Sequence, residues 1–180
     1  MLTPDLLTRT VFLDFEASSL APDSWPIEIG LSWLDGQGDV HTWDSLIRPA
    51  PDWPEAAWSA QSAEVHGIPA ADLAMAPPAP DVAAAALGRM RERVIVADSP
   101  SHDTAWLIRL LSTLPPDTIT WPAVDDYDAL TAGLFPAHAL DWVYERLERT
   151  HAPHRAGPDS ARLARGWAEG ARRAGWIEAP

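Results

Sequence analysis

The sequence predicts one α/β domain built on a mixed sheet. Three observations predict it. The stretch up to residue 48 holds three β-rich runs joined by short turns, which leaves no room for a long crossover between them. From residue 55 onward, helical periodicity alternates with short apolar runs in the order helix, strand, helix, strand. After residue 124 the pattern is helical almost to the end. A chain of 180 residues with 47% hydrophobic content can bury a full core without covalent staples.

The elements follow in order. Thr10 to Phe15 is apolar and β-rich, and reads as a buried first strand. Ile27 to Leu34 alternates enough for a second strand, the Asp35-Gly36-Gln37-Gly38-Asp39 cluster turns the chain, and Val40 to Arg48 alternates again. After the break Pro49-Ala50-Pro51-Asp52-Trp53-Pro54, a helix is expected over Glu55 to His66, closed by Gly67 in a C-cap role. Ala76 to Pro80 breaks the chain a second time, and Asp81 to Arg91 is alanine-rich and helical. Val94 to Ala97 reads as a central strand. From Ser101 or His102 to Leu114 a helix places Trp106, Leu107, Leu110 and Leu111 on one face. Asp117 to Trp121 is expected to be the last strand, and Val124 to Leu134, Ala137 to Thr150 and Pro158 to Ala174 are expected to be helices. No internal repeat is visible.

Composition narrows the function. Without cysteine there is no disulfide framework, thiolate nucleophile or zinc knuckle, which is compatible with a reducing compartment, and a cytoplasmic location is expected. Met1-Leu2-Thr3-Pro4-Asp5 has no basic region before an apolar run, so no signal peptide is expected, and no stretch approaches a membrane span. The net charge is −13 and every basic residue is an arginine. That field opposes a protein that coats or slides along duplexes, but not one that grips a strand end through bound cations, which invert the local field. Arg89, Arg91 and Arg93 cluster, as do Arg155, Arg162, Arg165, Arg172 and Arg173. These read either as solvated helix faces or as a phosphate-contact stripe beside the last acidic segment.

Three segments carry the chemistry. Asp14 and Glu16, two apart on a strand, point to one face, where their repulsion and desolvation are costly unless a divalent cation lies between them. The alternative is a frayed strand end satisfied by water or by Ser18 and Ser19. Asp103 falls near the start of a helix, where an acid also serves as an ordinary cap; Asp98 competes with it, and the spacing of the following apolar residues favours Asp103. His154 precedes Asp159 by five, with Pro158 suited to a first helical position. A histidine on a loop beside a carboxylate-bound metal can take a proton from an attacking water at neutral pH, whereas the plainer reading is an exposed loop residue.

Taken jointly, the segments resemble the DEDDh 3′-to-5′ exonuclease family, which includes proofreading subunits, ribonuclease T and oligoribonuclease. The carriers are Asp14-Phe15-Glu16-Ala17-Ser18-Ser19-Leu20, Ile27-Glu28-Ile29-Gly30, Val65-His66-Gly67-Ile68, Asp103, and the pair His154 and Asp159. The resemblance implies a ribonuclease H-like fold with a central five-stranded mixed sheet flanked by helices, and residues 1–180 as a single exonuclease domain. It also implies two Mg²⁺ or Mn²⁺ ions held by Asp14, Glu16, Asp103 and Asp159, with His154 as general base. Two ions about 4 Å apart serve attacking and leaving oxygens alike, and magnesium favours an all-oxygen set. Ser18 and Leu20 match positions that contact the terminal nucleotide, with His66 nearby, although loop capping and core packing are their plainer roles. The implied partner is the 3′ end of single-stranded nucleic acid, DNA or RNA, cleaved to nucleoside 5′-monophosphates. A homodimer stays open, because relatives include homodimers.

The chain departs from the family pattern at His102 and Ser99, where members carry an aromatic residue and an asparagine, at Ser19 in place of glycine, and at Pro158. These departures leave the ligands intact, but they and the acidic charge support an alternative: a catalytically degenerate exonuclease-fold module that binds nucleic acid or a protein. Trp25, Trp53 and Trp58 could stack bases, though packing is the favoured role for any one of ten tryptophans.

Overall fold

In the computed structural model the sheet is organised around strand β1 (Thr10–Ala17), whose Val11, Phe12, Leu13 and Phe15 are all buried. A strand apolar on both faces must be covered on both, and this one is. The structure describes residues 5–178. Met1 to Pro4, part of the stretch read for a signal peptide, and the last two residues lie outside it. A short helix α1 (Asp5–Arg9) leads into β1. The antiparallel strands β2 (Pro26–Leu34) and β3 (Val40–Leu46) follow.

The expected single helix over Glu55 to His66 is two pieces, a 3₁₀ turn at Glu55–Ala57 and helix α2 (Ala60–His66). Ser59 causes the break: its backbone is extended, its hydroxyl accepts from the Ser62 N–H at 3.3 Å, and its own N–H donates to the Ser18 carbonyl at 2.8 Å. Gly67 ends α2 at a φ of 65°, as the expected C-cap. Helices α3 (Ala70–Leu73) and α4 (Ala79–Met90), strand β4 (Val94–Ala97) and helix α5 (Pro100–Leu111) complete the middle, and the four apolar residues expected on one face of α5 are all buried.

The last strand is β5 (Val124–Asp126), not Asp117 to Trp121. Those residues begin as a 3₁₀ turn at Pro116–Thr118 after a Pro-Pro pair, and Trp121 precedes Pro122, which has no ladder donor. Asp126 then caps helix α6 (Tyr127–Leu134) by accepting from the Ala129 N–H at 2.8 Å, so the helix expected from Val124 starts three residues later. Helices α7 (Ala137–Glu148) and α8 (Ala156–Arg173) close the fold. Because α8 starts at Ala156, Pro158 occupies its third position rather than its first.

The sheet is five-stranded and mixed, in the order β3-β2-β1-β4-β5, with β4 and β5 parallel to β1. Its two faces carry separate cores. Val11, Leu13 and Phe15 pack with α4 and α5 residues such as Val82, Ala86, Leu107 and Leu110. Phe12 lies in the other core with Tyr127, Leu163 and Trp167, edge-on to Trp167 at 5.0 Å. Each such side chain contributes roughly 1.5–3 kcal/mol by burial. The alternation continues past Phe12, so Asp14 and Glu16 emerge on the face that α8 covers.

Candidate active site

Two local facts open a cleft at the C-terminal end of β1. Pairing with β4 runs only from Thr10–Val94 to Phe12–Val96, so the end of β1 has a free edge on that side. On the other side β2 presents Glu28, Gly30 and Ser32 to the start of α8. Small residues permit that approach. A Cβ on Gly30 would fall inside the Ala156 carbonyl, one on Gly157 would collide with Asp44, and Ser32 and Ser160 bond at 2.9 Å. The first turn of α5 enters at the free edge of β1, and the first turn of α8 enters over β2.

The cleft is about 360 Å³ and is lined by Asp14, Glu16, Asp103, His154 and Asp159, together with Leu20, His66, His102 and Arg162. All four expected carboxylates and the expected histidine thus share one space. Glu16, His154 and Asp159 form its tightest group, each offering a ligand atom within 4.8 Å of the others. Asp103 is 2% exposed, whereas Asp98 stands exposed at the rim of the same cleft.

The electrostatics are those of an acid cluster with too little counter-charge. Burial, then Asp103, Glu16, Asp98 and Asp159, hold the Asp14 carboxyl well above its ordinary range. Glu16 is pushed up to about 8 by burial, Asp159 and Glu28, against the opposing pull of Arg155. Asp103 is pushed up to about 8, chiefly by burial. Asp159 is raised by burial despite backbone bonds and nearby cations. Its Oδ2 accepts from the Arg155 N–H at 3.1 Å, while its Oδ1 is buried with no hydrogen-bond partner among the described residues. A buried carboxylate oxygen without a partner, beside three raised carboxyls, fits a hard divalent cation, which prefers oxygen donors and would offset every one of these penalties.

His154 sits at a φ of 54°, a left-handed conformation that costs a non-glycine residue about 1–2 kcal/mol. The segment after it sustains that strain. Arg155 Nε donates to both carboxylate oxygens of Glu28, at 3.0 and 3.2 Å, and Glu28 Oε2 also accepts from the Ala156 N–H at 2.9 Å. Glu28 is 2% exposed and stands directly opposite Glu16 in the ladder. Glu28 and this use of Arg155 escaped the sequence reading. An acid between two isoleucines on an apolar strand was the available signal.

The nucleotide-contact candidates divide. Ser18 turns inward, its hydroxyl accepting from the Trp25 N–H at 3.0 Å, and it has the loop-capping role; Ser19 lines the cleft instead. Leu20 is 74% exposed at the cleft, so core packing is not its role. His66 is buried, its Nδ1 accepting from the Ile68 N–H at 3.0 Å and its Nε2 without a partner among the described residues. Burial holds its proton affinity below the usual histidine value. His102, the departure from an aromatic residue, stacks on Trp106 at 5.5 Å. Trp25 packs against Trp53 and Trp58, and Trp25 and Trp53 are buried, so these rings serve packing.

No family model matches the chain, and no curated protein matches its sequence. Solved structures do match its fold. E. coli exonuclease I in complex with a dA16 oligonucleotide superposes with a TM-score of 0.66 at 15% identity, over 91% of this chain and 41% of that one. A full-length 3′-exonuclease gives 0.62 at 17% identity, over 88% and 79%. The zinc-ion-bound form of an E. coli exonuclease I–single-stranded DNA complex gives 0.59 at 14% identity, over 90% and 38%. The chain spans about two fifths of the length of exonuclease I. At these identities the likeness is one of architecture, and the chain has the ribonuclease H-like exonuclease fold.

Proposed function

We propose that the chain is a metal-dependent 3′-to-5′ exonuclease that hydrolyses the terminal phosphodiester of single-stranded nucleic acid and releases nucleoside 5′-monophosphates. The observation that carries this reading is the convergence of Asp14, Glu16, Asp103 and Asp159 on one cleft, with a buried Asp159 oxygen left unbonded. Divalent cations bound there supply the positive charge that acidifies water and offsets charge on the leaving oxygen. Asp14, Glu16, Asp103 and Asp159 are the residues that would hold them. His154, held beside Glu16 and Asp159 by its strained loop, accepts the proton of the attacking water. The exposed Leu20 and the His66 edge offer an apolar and a polar contact to the terminal nucleotide. The solved exonuclease I complexes with oligonucleotides support a single-stranded substrate.

The test is a degradation ladder of 5′-labelled single-stranded DNA and RNA with Mg²⁺, Mn²⁺ or chelator. Stepwise shortening from the 3′ end that stops with chelator supports the reading; intact substrate with either metal refutes it. Calorimetry with Mn²⁺ then shows whether an inactive protein still takes up metal; a dead module shows no tight uptake.

A further inference from the structure

Helix α8 carries a feature that the cleft does not use. Along its solvent side Arg162, Arg165, Glu169 and Arg172 recur at spacings of three, four and three residues, which is one line on a helix. Arg162 opens the line inside the cleft. Arg165 and Arg172, joined by Arg146 of α7, line a separate hollow of about 380 Å³ beside the turn between β2 and β3.

Those three guanidinium groups are uncommitted. Among the described residues none of them forms an ion pair. Among the described residues Arg172 Nη2 reaches only the Gly38 carbonyl, at 3.4 Å, and its Nε has no acceptor. Five other arginines are taken: Arg155 by Glu28, Arg149 by Glu145, Arg173 by Glu169 and Trp142, and Arg89 and Arg93 by tryptophan faces. Of the two acids at the hollow, Glu169 is engaged with Arg173 at 2.8 Å and only Asp39 remains. In a chain of net charge −13, a concavity lined by three arginines against two acids carries a local charge opposite in sign to that of the whole. Guanidinium groups recognise phosphate by bidentate bonds.

We propose that this hollow binds the phosphates of the same nucleic-acid strand, upstream of the 3′ terminus held in the cleft. The proposal rests on the exonuclease reading. Spacing sets the length of strand involved. Arg165 and Arg172 lie six and thirteen residues beyond Asp159, about 9 and 20 Å along the helix axis. At a stacked rise of about 3.4 Å that is roughly three to six nucleotides. Short oligomers therefore use the cleft alone, and longer ones use both.

The experiment compares a dinucleotide, too short to reach the hollow, with a twelve-nucleotide oligomer, using the full chain with Mg²⁺ and the double variant Arg146→Gln, Arg165→Gln. Both positions are exposed, so the fold is not at risk. The expected result is a KM for the twelve-mer raised about tenfold, a shallower salt dependence by about one phosphate contact per arginine, and an unchanged kcat/KM for the dinucleotide. Equal losses on both substrates, or no change on the twelve-mer, overturn the proposal. Fluorescence anisotropy of the labelled twelve-mer in chelator reads binding without cleavage. Weaker binding by the variant in a protein that cleaves nothing would keep the hollow and discard the exonuclease. Unchanged binding by an active enzyme would do the reverse.

Discussion

The metal-free protein should lose stability as pH rises from about 5 to 8, the opposite of ordinary acid denaturation. Asp103 and Glu16 start from ordinary values of 3.8 and 4.5 and are both pushed up to about 8. Between those limits the native state holds protons that the unfolded chain has released, so the native state binds more protons and stability falls with rising pH. One such group is worth about 1.4 kcal/mol per pH unit, so Asp103 alone accounts for about 2–3 kcal/mol between pH 5 and 7. Glu16 adds less than its full share, because it is only partly buried and because discharging either acid relieves the other. A total of about 3 kcal/mol in a chain of this size is about 6–12 °C in Tm. The assay is thermal unfolding in chelator at pH 5, 6, 7 and 8, with Asp103→Asn as the reference that removes one proton from the slope. Saturating Mg²⁺ at pH 8 should recover about 2.7 kcal/mol at a hundredfold excess over Kd. A Tm that is flat or rises with pH in chelator, or wild type and variant running parallel, refutes the account of the cleft as an uncompensated acid cluster.

Other outcomes follow from the same geometry. Asp14→Ala and Asp159→Ala should abolish hydrolysis in a Mg²⁺ assay while circular dichroism stays native, and Asp14→Ala should raise the chelator Tm at neutral pH by removing a buried acid that resists ionisation. His154→Ala should lower kcat by about 10² to 10⁴, the usual worth of a positioned base, with Mn²⁺ uptake by calorimetry preserved; an unchanged rate across neutral pH would remove His154 from the reaction. Arg155→Ala strands the Glu28 carboxylate at 2% exposure, and because Arg155 itself is half in water the cost should be about 2–4 kcal/mol, or about 4–16 °C in Tm. Arg155→Lys, which cannot grip both oxygens, should recover part of that loss.

The sequence revealed what depends on local pattern. The runs at Val11 and Val94 were legible as strands because both faces are apolar. Asp103 was preferred over Asp98 because Trp106, Leu107, Leu110 and Leu111 fix which way α5 faces. What stayed hidden depends on register and on competition between elements. Glu28 matters because it stands opposite Glu16 and under Arg155, a pairing set by the β1–β2 ladder and by the docking of α8 far along the chain. Ser18 took the capping role its hydroxyl suggests but Leu20 escaped core packing, since the turn after β1 folds the hydroxyl onto the Trp25 N–H and leaves the leucine outside. The final strand was placed too early because Ile119 to Trp121 has β-forming side chains, but Pro122 denies it a continuous ladder.

Strands β1 and β2 are synthesised long before α8, and His154 and Asp159 arrive only with that last long helix. During synthesis, therefore, the groove stands half built: Asp14, Glu16 and Asp103 face one another without His154 and Asp159. On the exonuclease reading, a chain ending before residue 154 lacks two of the proposed cleavage residues and would cut nothing until the final helix docks.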